Sequence, residues 1–475
     1  MESIQLTKTD FIQYLHCPKS LWLSKHDTEN YPLGEFSTFM KKLVREGYEV
    51  ERYVRQFFEG TGDRDVSFQN EFKTDDGLYA RLDAFENMGD GKTALYEIKS
   101  STSVKTDSKH NHLKDACFQK ICAERAGQNI DRVFLIHLNG DYIRNGETDP
   151  GAMLTFADIT EAVNEISAET SAEIDAALAF LEADHDMAGC SCAEKTRANH
   201  CDAFSVFNPE VPTPSIYSLP RLRANIIREL RSMGVVGLQD VPEDCSLSDN
   251  QRLVVDSAKV GRPLIDEASI SNFLSGLTFP LYFFDYETFS SAVPWLDGTS
   301  PHKPFPVQYS LHTLDGNGSL DHKEYLEREA RLPDCLVEQM QEDIGPDGSI
   351  ISWHKSFEET RNRELAERYP DKADFLNNLN ERMVDLEDVF KTDYVDARFD
   401  GSTSIKKVLP VVCPSLDYKE LDVQDGASAM EAWQRMINAE SDEAEKIAND
   451  LLEYCERDTF AMVEIYRFLV DLISQ

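Results

Sequence analysis

Apolar positions recur along the chain with two different periods, and the change of period divides it. From Thr7 to Phe58 the spacing is helical, whereas from Val66 to Lys99 short alternating runs such as RLDAF and ALYEIKS predict strands. A helical stretch follows at about Leu113 to Ala126, then the strand-like RVFLIHL, then a polar helix from about Asp158 to Ala183. Helix, meander, helix and strand in that order predict an α/β core. A cysteine-rich loop and the proline-punctuated FNPEVPTP close this part, so a first domain is expected over residues 1–205. Residues 206–276 read as short helices around the turn SMGVVGLQDVP, either a plain helical linker or a helix-hairpin-helix that contacts DNA. The apolar run LTFPLYFFDYETF opens a second α/β domain, expected over 277–475.

With 475 residues, 41% of them hydrophobic, the chain can bury two cores. No run approaches the roughly eighteen apolar residues of a membrane span, and the opening MESIQLTKTD lacks the basic and apolar regions of a signal peptide. A cytoplasmic protein with no membrane partner is expected. Ten cysteines are too sparse for a disulfide scaffold, which fits a reducing compartment. The net charge of −38 argues against general affinity for polyanions, since phosphate binding draws on Lys and Arg. A local basic groove is the alternative. Basic residues gather at Lys41, Lys42, Arg45, Arg52 and Arg55, then at Lys99, Lys105, Lys109, Lys114 and Lys120, and a substrate track is expected there.

Candidate chemistry in the first half begins with RLDAF and YEIKS. Asp83 ends one strand, and Glu97 and Lys99, two apart, share one face of another. Two carboxylates and an ammonium are the minimum for metal-assisted phosphodiester hydrolysis: the acids hold Mg²⁺, which acidifies a water, while the lysine offsets charge on the phosphate. Taken alone, such a triplet is common on amphipathic strands. Its surroundings resemble the RecB-like group of PD-(D/E)XK nucleases over about residues 8 to 205. The resemblance implies a restriction-endonuclease-like fold, makes Glu51, four residues after Gly47, a further metal ligand, and gives Gln119 in DACFQKICAERAG a phosphate or water contact. The aromatic position of that last motif holds Ala123.

Cys17 lies near the start of the first helix, and Cys190, Cys192 and Cys201 follow the last helix of the same half in GCSCAEKTRANHC. One early and three late cysteines resemble the iron–sulfur nucleases of CRISPR spacer acquisition and bacterial recombination, which implies a [4Fe–4S] cluster stapling the two ends of the domain. Four thiolates also suit tetrahedral Zn²⁺, and residue types alone leave both open. The relatives' spacing is Cys-x-x-Cys, whereas here it is Cys-x-Cys. Cys117, Cys122, Cys245, Cys335, Cys413 and Cys455 stand singly and read as small core residues.

In the second half, Asp285 and Glu287 leave one face of LYFFDYETF, and Tyr454 and Asp458 share one face of a late amphipathic helix. Paired acids on an apolar strand call for a cation. Acid pair first and Tyr-x-x-x-Asp last resemble the tyrosine subtype of DEDD 3'-5' exonucleases, of ribonuclease H-like fold, over about 280 to 475. The resemblance implies two Mg²⁺ or Mn²⁺ ions, a water oriented by Tyr454, and Glu358 in place of the family's middle Asp, with Asp385 in reserve. Lys406 and Lys407 are either phosphate contacts or solvated surface. This half also resembles a bacterial domain of uncharacterised function that is commonly fused behind a RecB-like nuclease.

Together these features predict a metal-dependent nuclease with two active sites, its partner being nucleic acid, DNA before RNA, with a role in DNA repair and processing or in phage defence. The alternatives are an RNA exonuclease and a nucleic-acid-binding sensor subunit with one inactive domain.

Overall fold

A computed structural model describes residues 5–32, 38–62, 64–107, 110–416, 418 and 421–474. The chain is mixed α/β and divides into two compact units, 1–209 with 290–303, and 210–289 with 304–475.

The first unit is built on a six-stranded sheet of β1 (Leu6–Thr7), β2 (Asp65–Lys73), β3 (Leu78–Gly89), β4 (Lys92–Ile98), β5 (Arg132–Leu138) and β6 (Leu154–Asp158). The order is β1-β3-β4-β5-β6, with β2 antiparallel to β3 and β4 parallel to β5. Parallel pairing needs a crossover, and the helix His112–Arg125 supplies it. Its Phe118, Ile121 and Ala123 pack with Phe11 and Leu82, while Val50, Val54 and Phe58 of the helix Thr38–Gly60 pack with Ala84 and Tyr96. The expected helix–meander–helix–strand order is present. The strand β6, in LTFAD just ahead of the helix Thr160–Glu182, went unpredicted because five residues between two helical stretches carry little periodic signal.

The second unit carries a five-stranded sheet in the order β10-β9-β8-β11-β12. Its members are β8 (Leu281–Phe289), β9 (Phe305–Leu314), β10 (Leu320–Leu326), β11 (Ser349–Ser352) and β12 (Met383–Asp385). The first three form an antiparallel meander, and β8, β11 and β12 run parallel. The 33-residue helix Ser441–Ile473 packs across β8 and β9.

Residues 210–276, expected as a linker, fall with the second unit. Leu238, Val255 and Ile270 are fully buried, and β7 (Leu264–Ile265) pairs with β13 (Tyr394–Val395). Apolar faces on such short helices need a neighbour to bury them. After the helix Ala224–Ser232 and its turn comes a single 3₁₀ turn, Leu238–Asp240, where a helix-hairpin-helix would place its second helix.

Candidate active sites and cysteine centre

In the first unit, the strand alternation of β3 and β4 brings Asp83 and Glu97 toward the helix His112–Arg125. Glu97 is fully buried. Its Oε1 accepts from Lys8 Nζ at 2.7 Å and lies 2.8 Å from Lys99 Nζ, and its Oε2 accepts from Gln119 Nε2. Burial works against its charge, but Lys8 and Lys99 outweigh it and hold the carboxyl far below the usual range. Lys99 also donates to Asp115 Oδ2 at 2.5 Å. Burial disfavours the Lys99 ammonium, and Glu97 with Asp115 more than restores it. Asp83 accepts from the Ile98 backbone N–H at 2.9 Å, and burial beside the Glu97 charge pushes its carboxyl up to about 7.

A cleft of about 430 Å³ lies over this network, lined among others by Lys8, Tyr48, Glu51, Gln69, Asp83 and Gln119. Glu51 accepts from Arg55 at 2.5 Å and from Gln69 at 3.0 Å. Gly47 lies one turn earlier on the same helix, and a Cβ there would meet nothing within 4 Å. Ala123 is fully buried in the cluster that contains Leu82, Phe118 and Ile121. Glu51, Asp83 and Glu97 share the neighbourhood, though among the described residues they are not one of the groups whose ligand atoms all lie within 4.8 Å of one another. Lys8 and Lys99 both meet the Oε1 oxygen of Glu97. Lys8 and Asp115 were missed, because nothing in the sequence ties Lys8 to a glutamate 89 residues away.

Of the expected basic track, Lys42, Arg52, Arg55, Lys99, Lys114 and Lys120 each meet a carboxylate. Lys109 lies outside the described residues.

The four cysteines converge as expected. Cys17 caps the junction of two helices, Lys8–His16 and Pro18–His26, while Cys190, Cys192 and Cys201 follow the helix Thr160–Glu182, Cys192 within the short 3₁₀ helix Ser191–Glu194 that Cys190 precedes. Their sulfurs all lie within 4.8 Å of one another, with Cys190 and Cys201 4.0 Å apart, and the group could hold a metal ion. Asn208 Nδ2 donates to Cys190 Sγ at 3.5 Å, and hydrogen bonds from Cys17, Cys192 and Cys201 lower the Cys190 thiol. Among the described residues the ten cysteines are free thiols.

In the second unit, Asp285, Glu287 and Asp458 each present a carboxylate oxygen within 4.8 Å of the other two. Register explains the convergence. Asp285 and Glu287 on β8 stand opposite Ser310 and Gln308 on β9. Gln308 Nε2 donates to the Leu451 carbonyl at 2.9 Å and Ser310 Oγ meets Thr459 Oγ1 at 2.8 Å, so β9 grips the helix Ser441–Ile473 on either side of Tyr454 and Asp458. Glu358 enters from the first turn of the helix Ser356–Arg368, 2% exposed, and its Oε2 has no partner. Burial followed by the Asp458 and Glu358 charges pushes Asp285 well above the carboxylate range. Burial and Asp458 push Glu287 up to about 8, and burial pushes Glu358 up to about 8. Four acids crowded this way need protons or a cation.

Two residues complete the site. The Tyr418 hydroxyl donates to Asp458 Oδ1 at 2.6 Å, and Lys406 Nζ donates to the Tyr454 hydroxyl at 3.1 Å while lying 5.4 and 5.0 Å from the two ring centres. Tyr418 gave no signal in the sequence. Of the two lysines, Lys406 belongs to the site, whereas Lys407 is half-exposed beside Asp400. Asp385 does not: it accepts from the backbone N–H groups of His354, Lys355 and Glu387 and so shapes the turn after β11.

Comparison with known proteins adds a family model for part of the second unit. A domain of unknown function, DUF2779, matches residues 282–404, in keeping with the expected likeness of this half to a bacterial domain of uncharacterised function. The stretch includes Asp285, Glu287 and Glu358 and ends before Lys406, Tyr418, Tyr454 and Asp458. The uncharacterized protein MG366 of Mycoplasma genitalium is 30% identical over 220 residues, 41% of this chain and 32% of its own length. Its homolog in Mycoplasma pneumoniae is 29% identical over 220 residues, 40% of this chain and 32% of its own. The uncharacterized protein UU173 of Ureaplasma parvum is 28% identical over 222 residues, 41% and 31% respectively. The chain thus matches about a third of the length of these relatives.

Proposed function

We propose that this protein is a metal-dependent nuclease whose principal active site is the carboxylate group of the second unit. The observation that carries the reading is the meeting of Asp285, Glu287 and Asp458 within 4.8 Å, one helical turn from Tyr454. The strand order, an antiparallel meander continued by two parallel strands, supports the ribonuclease H-like reading of this unit. All-oxygen donors suit Mg²⁺ or Mn²⁺, and the unpartnered Glu358 oxygen fits a further ligand or a bound water. When bound, such an ion lowers the pKa of water toward neutrality and offsets charge on a phosphodiester.

The chain's own groups do the rest. Tyr454 accepts from Lys406 and its hydroxyl also meets the Asp458 carboxylate, a position from which it would orient a water or a phosphate oxygen beside the acids. Tyr418 fixes the rotamer of Asp458 through its hydrogen bond. The first unit's cleft keeps Asp83 and Glu51 accessible, and hydrolysis there requires Glu97 to exchange lysine for a cation. This favours a second reading of that unit, a nucleic-acid-binding module without chemistry. DNA as substrate, and repair or phage defence as setting, rest on the resemblance of the sequence alone.

For the cysteines we propose a bound metal that closes the first unit. Sulfurs within 4.8 Å fit a single tetrahedral ion, whose Zn–S bonds of about 2.3 Å put the sulfurs roughly 3.8 Å apart. A [4Fe–4S] cubane, with irons and sulfides between the thiolates, holds them wider.

The test is hydrolysis of end-labelled DNA and RNA with Mg²⁺ or Mn²⁺. Asp285→Asn is expected to abolish product release, and Tyr454→Phe to lower kcat by about 10²-fold with KM little changed. Asp83→Asn retains activity under the binding-module reading and loses half of it or more under the two-nuclease reading. Equal activity in wild type and Asp285→Asn rejects the proposal for the second unit.

A further inference from the structure

A second cluster on the same sheet has donors of a different kind. His312 on β9, His322 on β10 and Glu456 on the helix Ser441–Ile473 each place a ligand atom within 4.8 Å of the other two. The two histidines are direct cross-strand partners, with stacked rings 4.4 Å apart, and His322 Nδ1 lies 3.9 Å from Glu456 Oε1. We propose that His312, His322 and Glu456 bind a transition-metal ion of the Zn²⁺ class, separate from the Mg²⁺ or Mn²⁺ of the carboxylate site.

Both imidazoles are held in place by hydroxyl groups. A ligating histidine normally has its other ring nitrogen hydrogen-bonded, which fixes ring orientation and directs the free nitrogen at the ion. Both rings have that support here. His312 Nδ1 meets Thr459 Oγ1 at 2.8 Å and His322 Nε2 meets Ser310 Oγ at 2.9 Å, while the two hydroxyls meet each other at 2.8 Å. Each ring is left with one nitrogen, Nε2 of His312 and Nδ1 of His322. Two imidazoles and one carboxylate match a three-residue zinc site that keeps a place for water, whereas the neighbouring all-carboxylate group suits a harder ion. Glu456 is half-exposed, so its side chain is free to swing onto the ion.

The position gives the ion a task. Glu456 lies two residues before Asp458, and Thr459, which orients His312, directly follows it. A metal here ties the edge strand β10 to the helix that presents Tyr454 and Asp458, and would limit the helix's rotation against β8. This proposal stands independently of whether the protein cleaves nucleic acid.

The experiment uses the full chain, stripped with chelator, gel-filtered and titrated with Zn²⁺ in the presence of excess Mg²⁺. Bound zinc is counted by elemental analysis, and affinity is read by calorimetry. Wild type is expected to hold two equivalents, one in the cysteine centre and a second that Glu456→Gln and His322→Ala each lose or bind at least about 10-fold more weakly, since even losing an outer-shell partner costs 10- to 100-fold. Cys192→Ser is expected to keep that equivalent. Because Glu456 is half-exposed, its variant reports on binding even if the histidine variant fails to fold. Unchanged zinc content and affinity in Glu456→Gln overturn the proposal.

Discussion

Glu97 shows how far one residue's environment departs from what its motif suggests. As a sequence feature it is a metal-ligand candidate, yet both its oxygens are taken by Lys8, Lys99 and Gln119. The ion pairs make it a structural keystone as well. Glu97→Gln leaves Lys8 and Lys99 to share Asp115, and removing one member of a buried charged network costs about 3–5 kcal/mol. Lys8 keeps some solvent contact, so a loss near 3 kcal/mol is expected, measured by urea unfolding; a loss under about 1 kcal/mol would mean the network is far wetter than its burial indicates. Lys8 itself is held by local chemistry, a capping box in which Thr7 and Asp10 exchange hydrogen bonds and start its helix.

The strand β8 and the helix Ser441–Ile473 are the elements that make the second site, and their packing carries a pH signature. In the metal-free protein Glu287 and Glu358 hold protons up to about pH 8, whereas in the unfolded chain they release them near 4.3. Between those values the folded state binds more protons, so stability is full below about pH 4 and is lost as pH rises through 8. A thermal-unfolding series in Mn²⁺-free buffer is therefore expected to show the midpoint falling from pH 5 to pH 8.5. Millimolar Mn²⁺ should flatten the profile, because the ion replaces the protons. A profile flat without metal would place the acids in solvent.

At the scale of the molecule, the cysteine centre closes the first unit on itself, joining the start of the chain to residues 190–201. Closing a long loop restricts the unfolded chain, and a metal that binds only the folded form adds its own linkage. Cys192→Ser is expected to lose the bound metal and at least about 2 kcal/mol of stability, read as a drop of roughly 4 °C or more in the first unit's midpoint. An unchanged midpoint with metal lost would make the centre functional rather than structural. The charge of −38 acts on the same scale, and six of the basic residues expected to form a substrate track each lie within ion-pair distance of a carboxylate.

Much of this was legible in advance. Alternating runs marked β3 and β4, apolar runs marked β5 and the buried β8, and helical spacing marked the long helices, because each kind of element buries its apolar residues in its own pattern. The motif residues Asp285, Glu287, Tyr454, Asp458 and the four cysteines could be named because each pair or triplet is close in sequence and its element fixes which side chains share a face. Short elements such as β6 and β13, and partners such as Lys8, Asp115 and Tyr418, could not, since nothing local requires them. The sequence by itself therefore determined the kinds of elements, their order and the donor atoms on offer. Only the tertiary structure decided which donors meet: the register of β8 on β9 and the grip of β9 on the last helix gather Asp285, Glu287 and Asp458, while packing in the first unit brings Lys8 and Lys99 to Glu97. Convergence is a property of distances between remote segments, and those distances are set by packing, which no local pattern encodes.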